Sequence, residues 1–340
     1  MNITIIGATG LVGKEFISIL ENTHTITQEY YNYIFISSAK STGKELIFKH
    51  KKYTLKVIDD IDFSQISYFI NCSNEEVAEY IKTNMNDFSY LIDNSSRYRL
   101  DDKTPLVIPH LNMQYGSHVI ANPNCSTIIL VCLLHPLQKF KIKRVVVSTY
   151  QAASGAGIKG LEELELQMKE SIEGKELTTD YWGKQYVNNV FVHNSDISDF
   201  GYNKEELKMI YETNKIFPKS FSINATCIRV PVIRSHCESV NIEFHEKVTY
   251  EDLCDIIRKT RHLVLVDDKE SKLFPDTVMS TNTADVFVGH IRPDISLENG
   301  KGWNFWLSGD QLIRGAAYNS YDILKCIIKN SFTPLNISNI

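Results

Sequence analysis

The first 140 residues alternate between short apolar runs and stretches with helical spacing. Asn2–Ile6 reads as a buried strand. Leu11–Leu20 carries apolar residues at 11, 12, 16, 17, 19 and 20, the spacing of a helix lying on a sheet. Further short strands are predicted at Tyr33–Ser37, Tyr68–Cys72, Tyr90–Ile92 and His118–Ala121, with a helix over Glu75–Met85. Such alternation predicts a mostly parallel sheet covered by helices on both faces. Past Ser126 the pattern changes. Thr127–Leu137 is a near-continuous apolar helix, Arg144–Tyr150 a β-branched strand, and Ile158–Glu173 an amphipathic helix with Leu161, Leu164 and Met168 on one side. Residues 174–220 are polar and rich in Asn, Asp and Tyr, and read as an irregular insertion over a surface or site. Phe221–Val230, Glu238–Phe244 and Asp285–Ile291 read as strands, Tyr250–Lys259 as a helix and Gln311–Lys329 as a closing helix. This half is expected to be α+β with a largely antiparallel sheet, and the polar tail after Lys329 to fray.

At 340 residues the length favours two domains over one, at roughly 150 residues each. A chain that is 43% hydrophobic and 23% charged can bury a sizeable core. The net charge of −5 argues against a nucleic-acid or anionic-membrane binder. No apolar run reaches a membrane span, and Met1–Thr4 lacks the basic start of a signal peptide. Seven cysteines, at 72, 125, 132, 227, 237, 254 and 326, are scattered and never spaced as CxxC. Neither a disulfide framework nor a metal site is expected, and most should be buried thiols of a reducing cytoplasm.

Three segments change this picture. Gly7-Ala8-Thr9-Gly10-Leu11-Val12-Gly13 sits between the first strand and the first helix. Glycines there permit a tight turn and close backbone approach, and the helix N-terminus then receives a pyrophosphate. The second strand runs into Ser37-Ser38-Ala39-Lys40-Ser41, which lacks the Asp or Glu that bonds an NAD ribose. Its hydroxyls and Lys40 suit a 2′-phosphate, which favours NADP over NAD; a polar turn with a solvated lysine is the plain alternative. Asn122-Pro123-Asn124-Cys125-Ser126 leads into the apolar helix, and a cysteine at a helix N-terminus is a candidate thiolate. The plain alternative is a capped helix with a buried thiol. His236, in a segment read as lying between two strands, is a candidate proton carrier, and Arg229 suits an anionic group. Spacing alone favours a loop histidine and a structural Arg–Glu pair.

GATGLVG, SSAKSTGK, DNSSRYR, ANPNCST, TYQAASGAG, GYNKEELKM, RVPVIRSHCESV and RGAAYN occur in this order. Together they resemble the aspartate-β-semialdehyde dehydrogenase family, over Asn2 to about Lys329. The resemblance implies a Rossmann-like NADP-binding domain over 1–125 completed by a C-terminal helix at 310–330. It also implies an α+β catalytic and dimerisation domain over 126–309, followed by a flexible tail at 331–340. Cys125 matches the nucleophile, Gln151 the glutamine that orients substrate, and His236 the acid/base. Arg229 matches the residue for the substrate's α-carboxylate, Glu205 a substrate-binding acid, and Lys208 and Arg99 phosphate-binding cations, with Asn94 beside Arg99. Gly7, Thr9, Gly10, Leu11 and Val12 match the pyrophosphate loop, Ser38, Lys40 and Ser41 the 2′-phosphate site, and Ser154 and Gly155 a loop along the cofactor. Gln311 stands where the family usually has an Asn that reaches the nicotinamide amide.

The reaction so implied is NADPH-dependent conversion of aspartyl phosphate to aspartate semialdehyde and inorganic phosphate through a Cys125 thioester, in lysine, threonine and methionine biosynthesis. A cytoplasmic homodimer or homotetramer is expected, with no nucleic-acid or membrane partner and no metal. Lys40 in place of Arg, His290 in place of Arg, and the bulky Asn74 and Glu75 depart from the pattern. The enzyme alternative is N-acetyl-γ-glutamyl-phosphate reductase, whose cysteine stands in a PGCY-like context rather than PNCST. A different class of alternative is a catalytically inactive, NADP-binding paralogue.

Overall fold

The computed structural model describes residues 1–332 except 24, 25, 27–29, 219 and 299, so the expected tail lies, from 333 onward, outside the described residues. The chain divides into two compact units, Met1–Pro123 with Ala316–Ile340, and Asn124–Gly315.

The first unit runs β1 (Asn2–Ile6), α1 (Leu11–Asn22), β2 (Asn32–Ile36), β3 (Glu45–Phe48), β4 (Lys51–Thr54), β5 (Tyr68–Asn71), α2 (Glu75–Asn84), β6 (Tyr90–Asp93), α3 (Pro109–Asn112) and β7 (Val119–Ala121). Its main sheet has the order β2-β1-β5-β6-β7, every pairing parallel. All four residues of β5 are buried, as expected of a central parallel strand. Phe16, Ile17 and Leu20 of α1 join Ile3, Ile5 and Phe35 of the sheet in one core. The β3–β4 hairpin, absent from the sequence reading, adds Phe48 to that core.

The second unit runs α4 (Cys125–Leu137), β8 (Ile142–Gln151), α5 (Ile158–Glu173), β9 (Phe191–Val192), α6 (Lys204–Ile216), β10 (Ser222–Arg229), β11 (His236–Phe244), α7 (Tyr250–Lys259), β12 (Leu263–Leu265), α8 (Thr277–Ser280), β13 (Val286–Pro293) and β14 (Gly302–Gly309). Its sheet has the order β12-β13-β14-β11-β8-β10-β9. It is mixed: β8 pairs with β10 and β12 with β13 in parallel, and the other four pairings are antiparallel. α4 packs on this sheet and is buried along nearly its whole length, which explains an apolar sequence with no polar face.

Three expectations need correction. Residues 174–220 are not irregular throughout: they contain β9 and α6. Asn203 accepts the Glu206 N–H while Glu206 accepts the Asn203 N–H, a capping box concealed within an Asn- and Asp-rich run. His236 is not in a loop but is the first residue of β11, directly after Ser235, which has a left-handed φ of 70°. The closing helix does not begin at Gln311. Asp310 accepts the N–H groups of Leu312 and Ile313, a π-helical turn covers Ile313–Ala317, and α9 (Tyr318–Phe332) follows.

Candidate active site

In the first unit the β1–α1 turn depends on two glycines. Gly7 has φ +77°, and a β-carbon there would lie 2.7 Å from the Cys72 carbonyl oxygen. A β-carbon on Gly13 would lie 2.2 Å from the Gly7 oxygen, so the helix can approach the loop only without one. Gly10 is the N-cap and supplies no side-chain hydrogen bond, and the first turn of α1 holds no acid. An uncapped, acid-free helix start of this kind fits a pyrophosphate. Thr9, Leu11 and Val12 line this turn half-buried; Ser38 and Lys40, just past β2, are exposed and Ser41 is half-buried. Asn74 caps α2 through the Val77 N–H, which accounts for its place in the β5–α2 turn.

Arg99 and Asn94 also belong to the first unit. Arg99 is buried, donating from Nε to the Asn122 oxygen at 2.9 Å and from Nη2 to the Asn94 oxygen at 2.7 Å. The Asn94 amide donates to the Asn71 oxygen and accepts from Ser320 Oγ.

The second unit brings together Cys125, Gln151, Glu205, Lys208, Arg229 and His236. Cys125 is the first residue of α4 and half-buried. Asn124 is the N-cap, its side-chain oxygen accepting the N–H groups of Ser126 and Thr127. Those two N–H groups are thereby occupied, so they are not free to hold an oxyanion. A β-carbon on Gly315 would lie 2.6 Å from that of Cys125, so the glycine lets the chain pass against the thiol-bearing residue.

Gln151 ends β8, fully buried. Its Nε2 lies 3.1 Å from Ser126 Oγ and 3.3 Å from Glu205 Oε1. Glu205 also accepts from Asn124 Nδ2 at 2.9 Å and from Lys208 Nζ at 3.2 Å. Burial alone would raise the Glu205 pKa. Lys208, His193, the Asn124 amide and Arg229 outweigh it and hold the carboxyl down at about 2. Glu205 is thus a buried carboxylate tied to the residue before the candidate nucleophile.

β11 and β8 are antiparallel neighbours, and His236 packs against the residue following β8. The Ala152 N–H donates to His236 Nδ1 at 3.1 Å. A nitrogen that accepts is unprotonated, so the neutral ring carries its proton on Nε2, a buried atom with no partner in the described structure. Burial, then the Arg229 charge, push the His236 pKa down to about 3. Arg229 is 3% exposed, with Nη1 donating to the Ala152 oxygen at 3.1 Å and its centre 5.6 Å from the Trp182 ring. Gly155 lies against both: a β-carbon there would be 3.0 Å from His236 Nε2 and 3.1 Å from Arg229 Nη1.

Ser154 and Gln311 have different work. Gln311 Nε2 donates to Ser154 Oγ at 2.5 Å, and its Oε1 accepts the Ser235 N–H at 2.9 Å. Both polar ends of the amide are engaged within the second unit, and the left-handed Ser235 is held by one of them. Ser154 Oγ in turn donates to the Ile233 oxygen.

Sequence reading missed His193, Glu238 and Trp182. His193 Nε2 lies 2.7 Å from Arg229 Nη2. Glu238, two residues along β11 from His236, is fully buried with neither carboxyl oxygen hydrogen-bonded. Nothing local marks either residue; their neighbours come from strand register. Burial pushes the thiols of Cys72, Cys132, Cys227, Cys237 and Cys254 up from their usual range. Among the described residues no cluster of three or more His, Cys, Asp or Glu is placed to hold a metal ion. No described helix is long and apolar enough to cross a membrane.

Comparison with known proteins places the chain in a family. Residues 2–117 match the family model for the semialdehyde dehydrogenase NAD binding domain, and residues 134–314 the semialdehyde dehydrogenase dimerisation domain. The aspartate-semialdehyde dehydrogenase of Aquifex aeolicus is 37% identical over 341 residues, covering 96% of this chain and 98% of that one. That of Synechocystis is 36% identical over 342 residues, 98% of each. The crystal structure of aspartate semialdehyde dehydrogenase II from Vibrio cholerae superposes with a TM-score of 0.90 at 32% identity, covering 97% of this chain and 99% of that one. The chain belongs to the aspartate-semialdehyde dehydrogenase family.

Proposed function

We propose that this protein is an NADP-dependent aspartate-semialdehyde dehydrogenase that converts L-aspartyl 4-phosphate to L-aspartate 4-semialdehyde and inorganic phosphate, in lysine, threonine and methionine biosynthesis. The observation that carries this reading is a buried arginine that, among the described residues, has no carboxylate hydrogen-bonded to it, beside a buried histidine whose Nε2 has no acceptor among them. That pair suits a substrate bearing a carboxylate at one end and an oxygen that gains charge at the other.

The Cys125 thiolate attacks the acyl carbon, the C–O bond to phosphate breaks and a thioester forms. The Gly7–Val12 loop would hold the pyrophosphate of NADPH and Ser38, Lys40 and Ser41 its 2′-phosphate, and the bound cofactor would supply the hydride that reduces the acyl group. His236 gives its Nε2 proton to the oxygen that gains charge, and recovers it as the C–S bond breaks to release the aldehyde. Arg229 takes the α-carboxylate and Glu205 the ammonium. Lys208 and Arg99 serve the phosphate, with Asn94 holding Arg99. Gln151 and Glu205 fix the Cys125 end of α4 through Ser126 and Asn124. Ser154, Gly155 and Gln311 shape the loop on the cofactor side.

The first unit, closed by α9, serves as the dinucleotide domain and the second as the catalytic and dimerisation domain of a cytoplasmic homodimer or homotetramer. Support for the dimer comes from the dimerisation-domain match.

The test is phosphate-dependent reduction of NADP and of NAD with aspartate semialdehyde, for wild type and Cys125→Ala. NADP turnover that Cys125→Ala abolishes is expected. Turnover with N-acetyl-glutamate semialdehyde instead, or turnover that survives Cys125→Ala, would overturn the assignment.

A further inference from the structure

Arg229 is nearly fully buried, yet its hydrogen-bond partners among the described residues, the Ala152 oxygen and His193 Nε2, carry no negative charge. Glu205 is near enough to feel the guanidinium but is bonded to Lys208, Asn124 and Gln151 instead. Register explains why a histidine stands there. β9 pairs with the end of β10, Phe191 opposite Arg229 and Val192 opposite Ile228, and the His193 N–H bonds the Cys227 oxygen.

Both ring nitrogens have partners. An arginine only donates, so His193 Nε2 accepts from it, while Nδ1 lies 3.1 Å from Ser195 Oγ and 3.3 Å from the Ser195 N–H. Ser195 Oγ also accepts the Glu205 N–H at 3.2 Å, which ties the ring to the start of α6. Burial, then the Arg229 charge with a smaller push from Lys208, lower the His193 pKa to about 4 against the opposing pull of Glu205. His236, also facing Arg229, is likewise held neutral.

We propose that His193 is a positioning residue for the substrate's carboxylate: a neutral acceptor, held in place by Ser195, that aims the Arg229 guanidinium without neutralising it. This rests on the reading that Arg229 takes that carboxylate. A carboxylate in His193's place would satisfy Arg229 permanently and compete with substrate. An apolar residue would let the guanidinium swing. The imidazole does neither, while the Trp182 ring, fixed by its own bond to the Gly160 oxygen, limits motion out of plane.

The test compares His193→Leu, His193→Gln and Arg229→Leu on two aldehydes, aspartate semialdehyde and 3-aminopropanal, which lacks the carboxylate. For His193→Leu the KM for aspartate semialdehyde should rise by about 10- to 100-fold, the range for losing a hydrogen bond to a charged group, with kcat within about threefold. The KM values for phosphate and NADP, and all constants for 3-aminopropanal, should hold. His193→Gln, which restores an acceptor toward Arg229, should recover most of the loss. If Arg229→Leu selectively weakens aspartate semialdehyde while His193→Leu does not, the role given to His193 is wrong and that given to Arg229 stands. If Arg229→Leu affects both aldehydes equally, the carboxylate reading itself fails.

Discussion

The backbone N–H of Ala152 points at Nδ1 of His236 across 3.1 Å, and this contact decides which end of the imidazole works. With Nδ1 accepting, the neutral ring is a donor at Nε2 and acts as an acid before it acts as a base.

His236 should therefore show no titration near the ordinary histidine value of about 6.5. Its pKa is lowered to about 3, so the ring stays neutral throughout the usual assay range. A profile of kcat/KM between pH 5 and 8 should lack an inflection assignable to it, tested by comparing wild type with His236→Asn. The variant itself should lose about 10²–10⁴-fold in the chemical step.

Gly155 has no room for a methyl group. In Gly155→Ala the new carbon would meet His236 Cε1 at 2.9 Å and Arg229 Nη1 at 3.1 Å. Displacing both costs about 1–3 kcal/mol, so kcat/KM should fall by about 10- to 100-fold. The Tm should also fall by a few degrees, and a variant with wild-type kinetics would count against this placement of the loop.

Gly13→Ala should weaken dinucleotide binding together with stability, because its β-carbon would press on the Gly7 oxygen at 2.2 Å. The expected result is a Tm several degrees lower and a raised Kd for NADPH by fluorescence titration. Loss of stability alone would remove the loop from the cofactor site.

Glu238 gives a prediction about pH and stability. Burial raises its pKa well above the ordinary carboxyl value. The unfolded chain ionises it near 4.3, whereas the folded chain keeps it neutral. Its effect on stability is therefore neutral below about pH 4 and worsens as pH climbs toward the folded value, with a limiting slope of about 1.4 kcal/mol per pH unit. Glu238→Gln removes the slope. The Tm advantage of the variant should be larger at pH 8 than at pH 5, by about 2–4 °C for each kcal/mol relieved.

Features written locally in the chain were legible in the sequence. Gly7, Gly10 and Gly13 lie together in one turn, and Cys125 lies at a helix start with its cap, Asn124, beside it. The parallel strands of the first unit read directly from short apolar runs. His193 and Glu238 did not, because what each one touches is set by pairing between strands far apart in sequence. The position of His236 on β11 was obscured by Ser235, whose left-handed backbone makes the segment look like a loop. α6 was hidden for a related reason: Asn203 and its polar neighbours read as part of an irregular insertion, although Asn203 with Glu206 is a helix start.

Gln311 spans the distance between Ser154 Oγ and the Ser235 N–H with one end on each. The amide acts as a strut whose length is matched to a gap. Shortening it by one methylene, as in Gln311→Asn, would free either the loop that carries Gly155 or the turn that aims His236. Position 311 is thus coupled to 154 and 235, and a shorter amide becomes neutral there only if those two backbones also close on each other.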